Sequence, residues 1–108
     1  MKLFDLSRHV AIITGGNAGI GLGIAKGLAA AGATIVIAGR QAEKNLEAAR
    51  TLEAFSVGTA ALEVDVAKEE SCRAMVETTL SRFGRLDILV NNAGINIRKQ
   101  PEAYTLAE

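Results

Sequence analysis

The sequence predicts an α/β fold in which a parallel sheet is covered by helices on both faces, and three observations carry that prediction. Short apolar runs rich in β-branched residues, VAII at 10–13 and ATIVIA at 33–38, are too short to be helices. They are apolar throughout instead of alternating, as strands buried on both faces are. Between them Ile20, Ile24 and Leu28 recur at four-residue steps and share one face of a helix. A glycine-rich turn, TGGNAGIG at 14–21, joins the first run directly to that helix. Glycines placed between a strand and a helix point to a nucleotide-binding turn, the alternative being a glycine-rich turn where nothing binds.

Taken in order, residues 1–8 form a lead-in whose Leu3, Phe4 and Leu6 are expected to tuck against the sheet edge. His9 opens the first strand and, with no ligand or nucleophile nearby in sequence, is expected to be a solvated strand-end residue. The first helix spans 18–31 and ends at Gly32, a suitable C-terminal cap. After the second strand at 33–38, an amphipathic helix is expected over 41–55, with Leu46, Ala49 and Leu52 on one side and its charges on a solvated face. A third strand at 59–64 ends in Asp65-Val66. A third helix at 69–83 carries Cys72, Val76, Leu80 and Phe83 along one face, so Cys72 reads as core and not as a nucleophile. Gly84 closes it, and a fourth strand at 88–90 runs into Asn91-Asn92-Ala93-Gly94. Four strands and three helices wound this way give the strand order 3-2-1-4, an incomplete version of the six-stranded doubly wound sheet.

The glycine turn has a specific physical use. Gly15 lets the chain reverse tightly. Gly19 and Gly21 lack the Cβ atoms that would hold a pyrophosphate away from the backbone amides, at which the positive end of the helix dipole also points. Gly23 and Gly27 are expected to continue the small residues and bring the helix close to the sheet. At the end of the second strand, an acidic residue would bind a ribose 2′-hydroxyl, whereas an arginine accommodates a 2′-phosphate. Gly39 stands where the acid is expected and Arg40 follows. A guanidinium that can fork onto a phosphate, with no carboxylate to repel it, favours NADP and leaves NAD possible. The alternative is that Arg40 caps the strand or pairs with Glu43.

Composition narrows the classes further. The chain has 108 residues, 49% of them apolar, with a formal net charge of zero, so one domain or part of one is expected. No basic cluster points to nucleic acid or to an anionic membrane. No run of eighteen apolar residues suggests a membrane span, and MKLFDLSRHV lacks a secretory signal's apolar segment. A single cysteine excludes an internal disulfide and fits a cytoplasmic protein.

Three motifs occur in order: TGxxxGIG, from Thr14, Gly15, Gly19, Ile20 and Gly21; Asp65-Val66; and NNAG at 91–94. Together they resemble the short-chain dehydrogenase/reductase family over roughly residues 8–95, and the resemblance implies a Rossmann-type fold. It implies dinucleotide contacts from Thr14, Gly15, Asn17, Gly19, Ile20 and Gly21 in the turn. It implies that Asp65 receives the adenine amino group and the Val66 backbone lies beside the same ring. The rival role for Asp65, capping the next helix, would place it a few residues early. Asn91 would tie neighbouring strands, with Asn92, Ala93 and Gly94 passing beside the ribose.

The resemblance also implies hydride transfer between a nicotinamide cofactor and an alcohol or carbonyl substrate, assisted by a Tyr-x-x-x-Lys pair and a serine. Here Tyr104 has Glu108 four positions on, and it lies too near the NNAG turn, so no residue is assigned as catalytic. The chain 1–108 therefore reads as the N-terminal part of a single NAD(P)-binding domain. In the tail, NAGINIRKQP loosely resembles family members that oxidise sugar acids; Arg98 and Lys99 are placed to attract a carboxylate, a solvated loop being the alternative. The fourth strand becomes an exposed edge, which favours a homo-oligomer or completion by further chain. A second reading is a non-catalytic module that senses the cofactor or pairs with a homologue. A third, another nucleotide-fold enzyme such as a methyltransferase, is opposed by NNAG and Arg40.

Overall fold

A computed structural model describes residues 5–92. Four parallel strands and three helices alternate along it: β1 Val10–Thr14, α1 Gly19–Ala30, β2 Thr34–Gly39, α2 Ala42–Leu52, β3 Thr59–Glu63, α3 Glu69–Phe83 and β4 Ile88–Asn91. The sheet order is β3-β2-β1-β4, the order the sequence predicts, with every pair parallel. The 41–55 segment is a helix only to Leu52, and a 3₁₀ turn, Glu53–Phe55, completes it before Ser56 takes a left-handed conformation.

Strand alternation divides the core into two layers. Ala11, Ile13, Ile35 and Ile37 point to one face and are covered by Ala25 and Ala29 of α1 and Ala48 and Leu52 of α2. Val10, Ile12, Val36 and Ala38 point to the other, where Met75 of α3 covers them. Both faces of β1 and β2 are thus dry, which explains runs without polar alternation. Each fully buried isoleucine contributes about 1.5–3 kcal/mol by leaving water.

The helices rotate their faces away from the pattern of large side chains. In α1 the buried residues are Gly21, Ala25 and Ala29, while Ile20 is 77% exposed. Gly23 and Gly27 are exposed, with open space where a Cβ would stand, so they do not bring the helix onto the sheet. In α2 the inner face is Asn45, Ala48, Ala49 and Leu52, and Leu46 is turned outward. In α3 it is Met75 and Thr79; Val76 and Phe83 pack at its margin, Cys72 is half-buried and Leu80 is exposed. Gly32, at φ +102°, follows the α1 cap residue Ala31 and turns the chain into β2.

Leu3 and Phe4 lie outside the described residues. Leu6 is half-buried and packs against the core cluster that includes β1 and β2, and its N–H donates to Ala31 O at the end of α1 at 2.8 Å. His9 is half-buried, and among the described residues its buried Nδ1 has no hydrogen-bond partner, so it is not the solvated residue expected.

Asp87 fastens β4 to β1. Its N–H donates to Val10 O at 2.9 Å and its Oδ2 accepts the Val10 N–H at 2.8 Å. The Arg85 guanidinium grips the same carboxylate through Nε and Nη2, at 2.8 and 2.7 Å. That ion pair, then the Val10 N–H, holds the Asp87 carboxyl below its ordinary 3.8. A folded-state value below the unfolded one makes the contribution to stability present above the unfolded value and lost as pH falls through the folded value. The melting-temperature gap between the parent and Asp87→Asn is therefore expected at neutral pH and to close on acidification below about pH 4. A gap unchanged by acid would contradict this role.

Candidate functional site

The carboxyl ends of the four parallel strands converge on one side of the sheet, where ligands of open α/β sheets bind. The glycine turn leaves β1, Gly39-Arg40 ends β2, Asp65 follows β3 and Asn92 follows β4. Winding runs outward from β1 to β3 and then crosses to β4, so the switch point lies between β1 and β4.

Within the turn, two glycines have left-handed backbones: Gly15 at φ +67° and Gly19 at φ +58°. Gly15 N–H donates to Ala38 O at 2.9 Å, which ties the turn to β2. Among the described residues a Cβ on Gly19 would meet no atom within 4 Å, so the space beside it is open. A Cβ on Gly21 would collide with the Gly15 carbonyl oxygen and lie 2.7 Å from Asn92 Nδ2. The two motif glycines thus do different things: Gly19 keeps a conformation and an open approach, and Gly21 allows α1 to meet the turn. Ala18 precedes α1 with no side-chain cap, and the first turn of the helix holds no acidic residue. Its leading amides and dipole are therefore suited to an anion.

Across the switch point, Thr14 Oγ1 lies 3.2 Å from Val90 O and 3.1 Å from Asn91 Oδ1. Asn91 thus ties β4 to β1, as the resemblance implies. Asn92 Nδ2 donates to Gly15 O at 3.2 Å, linking the NNAG segment to the glycine turn. Ala93 and Gly94 lie outside the described residues, as do Arg98, Lys99 and Tyr104.

A groove of about 450 Å³ runs from Gly15 and Asn17 past Gly39, Arg40 and Lys44 to Val64, Asp65 and Val66. It brings together Gly15, Asn17, Arg40, Asp65 and Val66 of the residues the sequence singles out; Thr14, Gly19, Ile20, Gly21 and Asn92 do not line it. Ile20 stands exposed in the first turn of α1. Arg40 is exposed and, among the described residues, makes no ion pair with Glu43. Asp65 does not cap α3, whose cap position is Lys68. Its Oδ1 accepts the Ala67 N–H at 3.0 Å, and its own N–H donates to Ser71 Oγ at 2.8 Å. These bonds hold the carboxylate at the groove wall.

Two features escape sequence reasoning. Lys44 enters the groove one turn into α2. Asn45 is fully buried: its Nδ2 donates to Gly39 O at 2.9 Å and Leu62 O at 3.0 Å, and its Oδ1 accepts from Asn17 Nδ2 at 2.9 Å. The spacing 45, 48, 49, 52 does describe an inner helix face, but a polar asparagine beside an apolar Leu46 hides it.

The profile of the short chain dehydrogenase family matches residues 9–108. The chain belongs to the short-chain dehydrogenase family. The L-sorbose reductase of Gluconobacter frateurii, solved with NADPH and L-sorbose, is 45% identical with a TM-score of 0.80, over 93% of this chain and 40% of that one. The L-fucose dehydrogenase of Bos taurus is 45% identical over 92% of this chain and 35% of its own length. The 2-dehydro-3-deoxy-D-gluconate 5-dehydrogenase of Formosa agariphila is 38% identical over 94% of this chain and 38% of its own length. The chain thus spans well under half the length of these relatives. Among the described residues, no cluster of acidic, histidine or cysteine side chains could hold a metal, and no helix is long and apolar enough to cross a membrane.

Proposed function

We propose that the groove holds the adenosine half of NADP and that the protein serves hydride transfer between this cofactor and the alcohol or carbonyl group of a sugar or sugar acid. The observation that carries the reading is the groove itself, which Gly15 and Asn17 of the glycine turn line together with Arg40 and Asp65. The nicotinamide, when bound, supplies the hydride. The residues of this chain bind and orient. The amides at the start of α1 face the pyrophosphate. Gly19 leaves it room. Arg40 forks onto the 2′-phosphate, Asp65 accepts from the adenine amino group, and Val66 lies beside the ring. Asn92 with Ala93 and Gly94 borders the ribose. In this reading residues 1–108 are the N-terminal part of one NAD(P)-binding domain.

The sugar substrate class is supported by the relatives named above, among them enzymes of L-sorbose, L-fucose and a sugar acid. A second reading is a module that binds the cofactor without turning it over. Oxidation of NADPH by the purified protein with a panel of ketoses and keto sugar acids separates the two. Sugar-dependent consumption supports the dehydrogenase reading. Saturable binding without consumption supports the second, and no binding by folded protein refutes both.

A further inference from the structure

At the end of β2 the space beside Gly39 is already filled. Gly39 has no positive φ, so its backbone would accept a side chain. What opposes one is contact: a Cβ there would lie 2.9 Å from Asn45 Oδ1 and 3.1 Å from Asn17 Nδ2. Those two atoms are the acceptor and donor of a single hydrogen bond, 2.9 Å long. Asn45 cannot swing aside cheaply, because it is fully buried and its Nδ2 is held by two backbone carbonyls, Gly39 O and Leu62 O. A buried amide moved off its partners loses those bonds without gaining water.

We infer that the Asn17–Asn45 pair is a specificity-determining element, which occupies the position where an acidic ribose-binding side chain would stand and so excludes it. The inference rests on the reading that this strand end faces the adenosine ribose. It deepens that reading, because the absence of a carboxylate at position 39 becomes a consequence of packing. Asn45 acts through Asn17 and Gly39 as a positioning residue and need not touch the ligand. The pair also locks the glycine turn to α2, so the arm that carries Asn17 and the arm that carries Arg40 keep a fixed separation. Truncating Asn45 makes room while keeping the sheet, since Gly39 O also accepts the Val64 N–H at 2.9 Å.

The test is a double-mutant cycle in the full chain, with Gly39→Asp, Asn45→Ala and the pair combined. Melting temperature and the dissociation constants of NAD and NADP are measured for each. Gly39→Asp alone is expected to lower the melting temperature by several degrees and to weaken NADP without tightening NAD. Adding Asn45→Ala is expected to leave the double variant more stable than the two separate losses predict, and to tighten NAD about tenfold over Gly39→Asp alone, the change worth one interaction of ordinary strength. Should Gly39→Asp not fold, Gly39→Ala, which adds only the Cβ, carries the same expected sign in the stability cycle. Additive losses, or a Gly39→Asp variant that is as stable as the parent and prefers NAD unaided, would overturn the inference. A parent protein that binds NAD as tightly as NADP would instead refute the Arg40 reading, and the stability cycle still decides the packing claim.

Discussion

Gly21→Ala is expected to damage the fold itself, whereas Gly19→Ala is expected to leave the fold and remove the cofactor site. The added methyl at position 21 meets the backbone carbonyl of Gly15 and the Asn92 amide, and backbone cannot rotate away. Overpacking of this kind costs up to about 3 kcal/mol, a large share of the roughly 5–15 kcal/mol that holds a domain together. Relief requires α1 to lift from the turn, which also breaks the Asn92–Gly15 bond across the switch point. At position 19 the added methyl meets no atom of the described residues within 4 Å. The cost to folding is the left-handed backbone at φ +58°, about 1–2 kcal/mol for a residue with a Cβ. Its larger effect is on the anion that would approach the amides there. Thermal melts and NADP titrations of the two variants check the contrast. Equal stability losses, or unchanged NADP binding by folded Gly19→Ala, would remove the assignment of this turn.

Arg40→Ala is expected to weaken NADP by about tenfold to a hundredfold, the worth of a charge-assisted hydrogen bond of roughly 1.5–3 kcal/mol. NAD, which carries no 2′-phosphate, should change little. Because Arg40 is exposed, the loss should shrink as salt is raised and the pairing is screened. Lys44, in the same groove, carries a second positive charge and accounts for the residual preference expected in the variant. Equal losses for both dinucleotides would mean that Arg40 does not read the 2′-phosphate.

The central strands β1 and β2 were legible in the sequence because they are buried on both faces. Runs such as Ala11–Ile12–Ile13 and Ile35–Val36–Ile37 contribute to both layers of the core, so no polar residue interrupts them. The glycine turn was legible because backbone conformation and close approach select glycine strongly, as Gly15, Gly19 and Gly21 show in three different ways. The inner faces of the helices were less legible. Large apolar residues advertise a face, but α1 turns the small Gly21 to the glycine turn and Ala25 and Ala29 to the sheet, and Ile20 is left at the surface. In α2 the same competition turns Leu46 outward and Asn45 inward. Asn45 is stable there because three hydrogen bonds satisfy its amide, and partners brought from β2, β3 and the glycine turn leave no trace in local periodicity.

The most direct test of the cofactor site is calorimetric titration of the folded, purified protein with NADP, NAD, 2′,5′-ADP and 5′-AMP. Saturable binding in which both 2′-phosphorylated ligands outcompete their unphosphorylated counterparts is the predicted result. Indifference to the 2′-phosphate, or no saturable binding of any of the four, would contradict a groove built for the adenosine half of NADP.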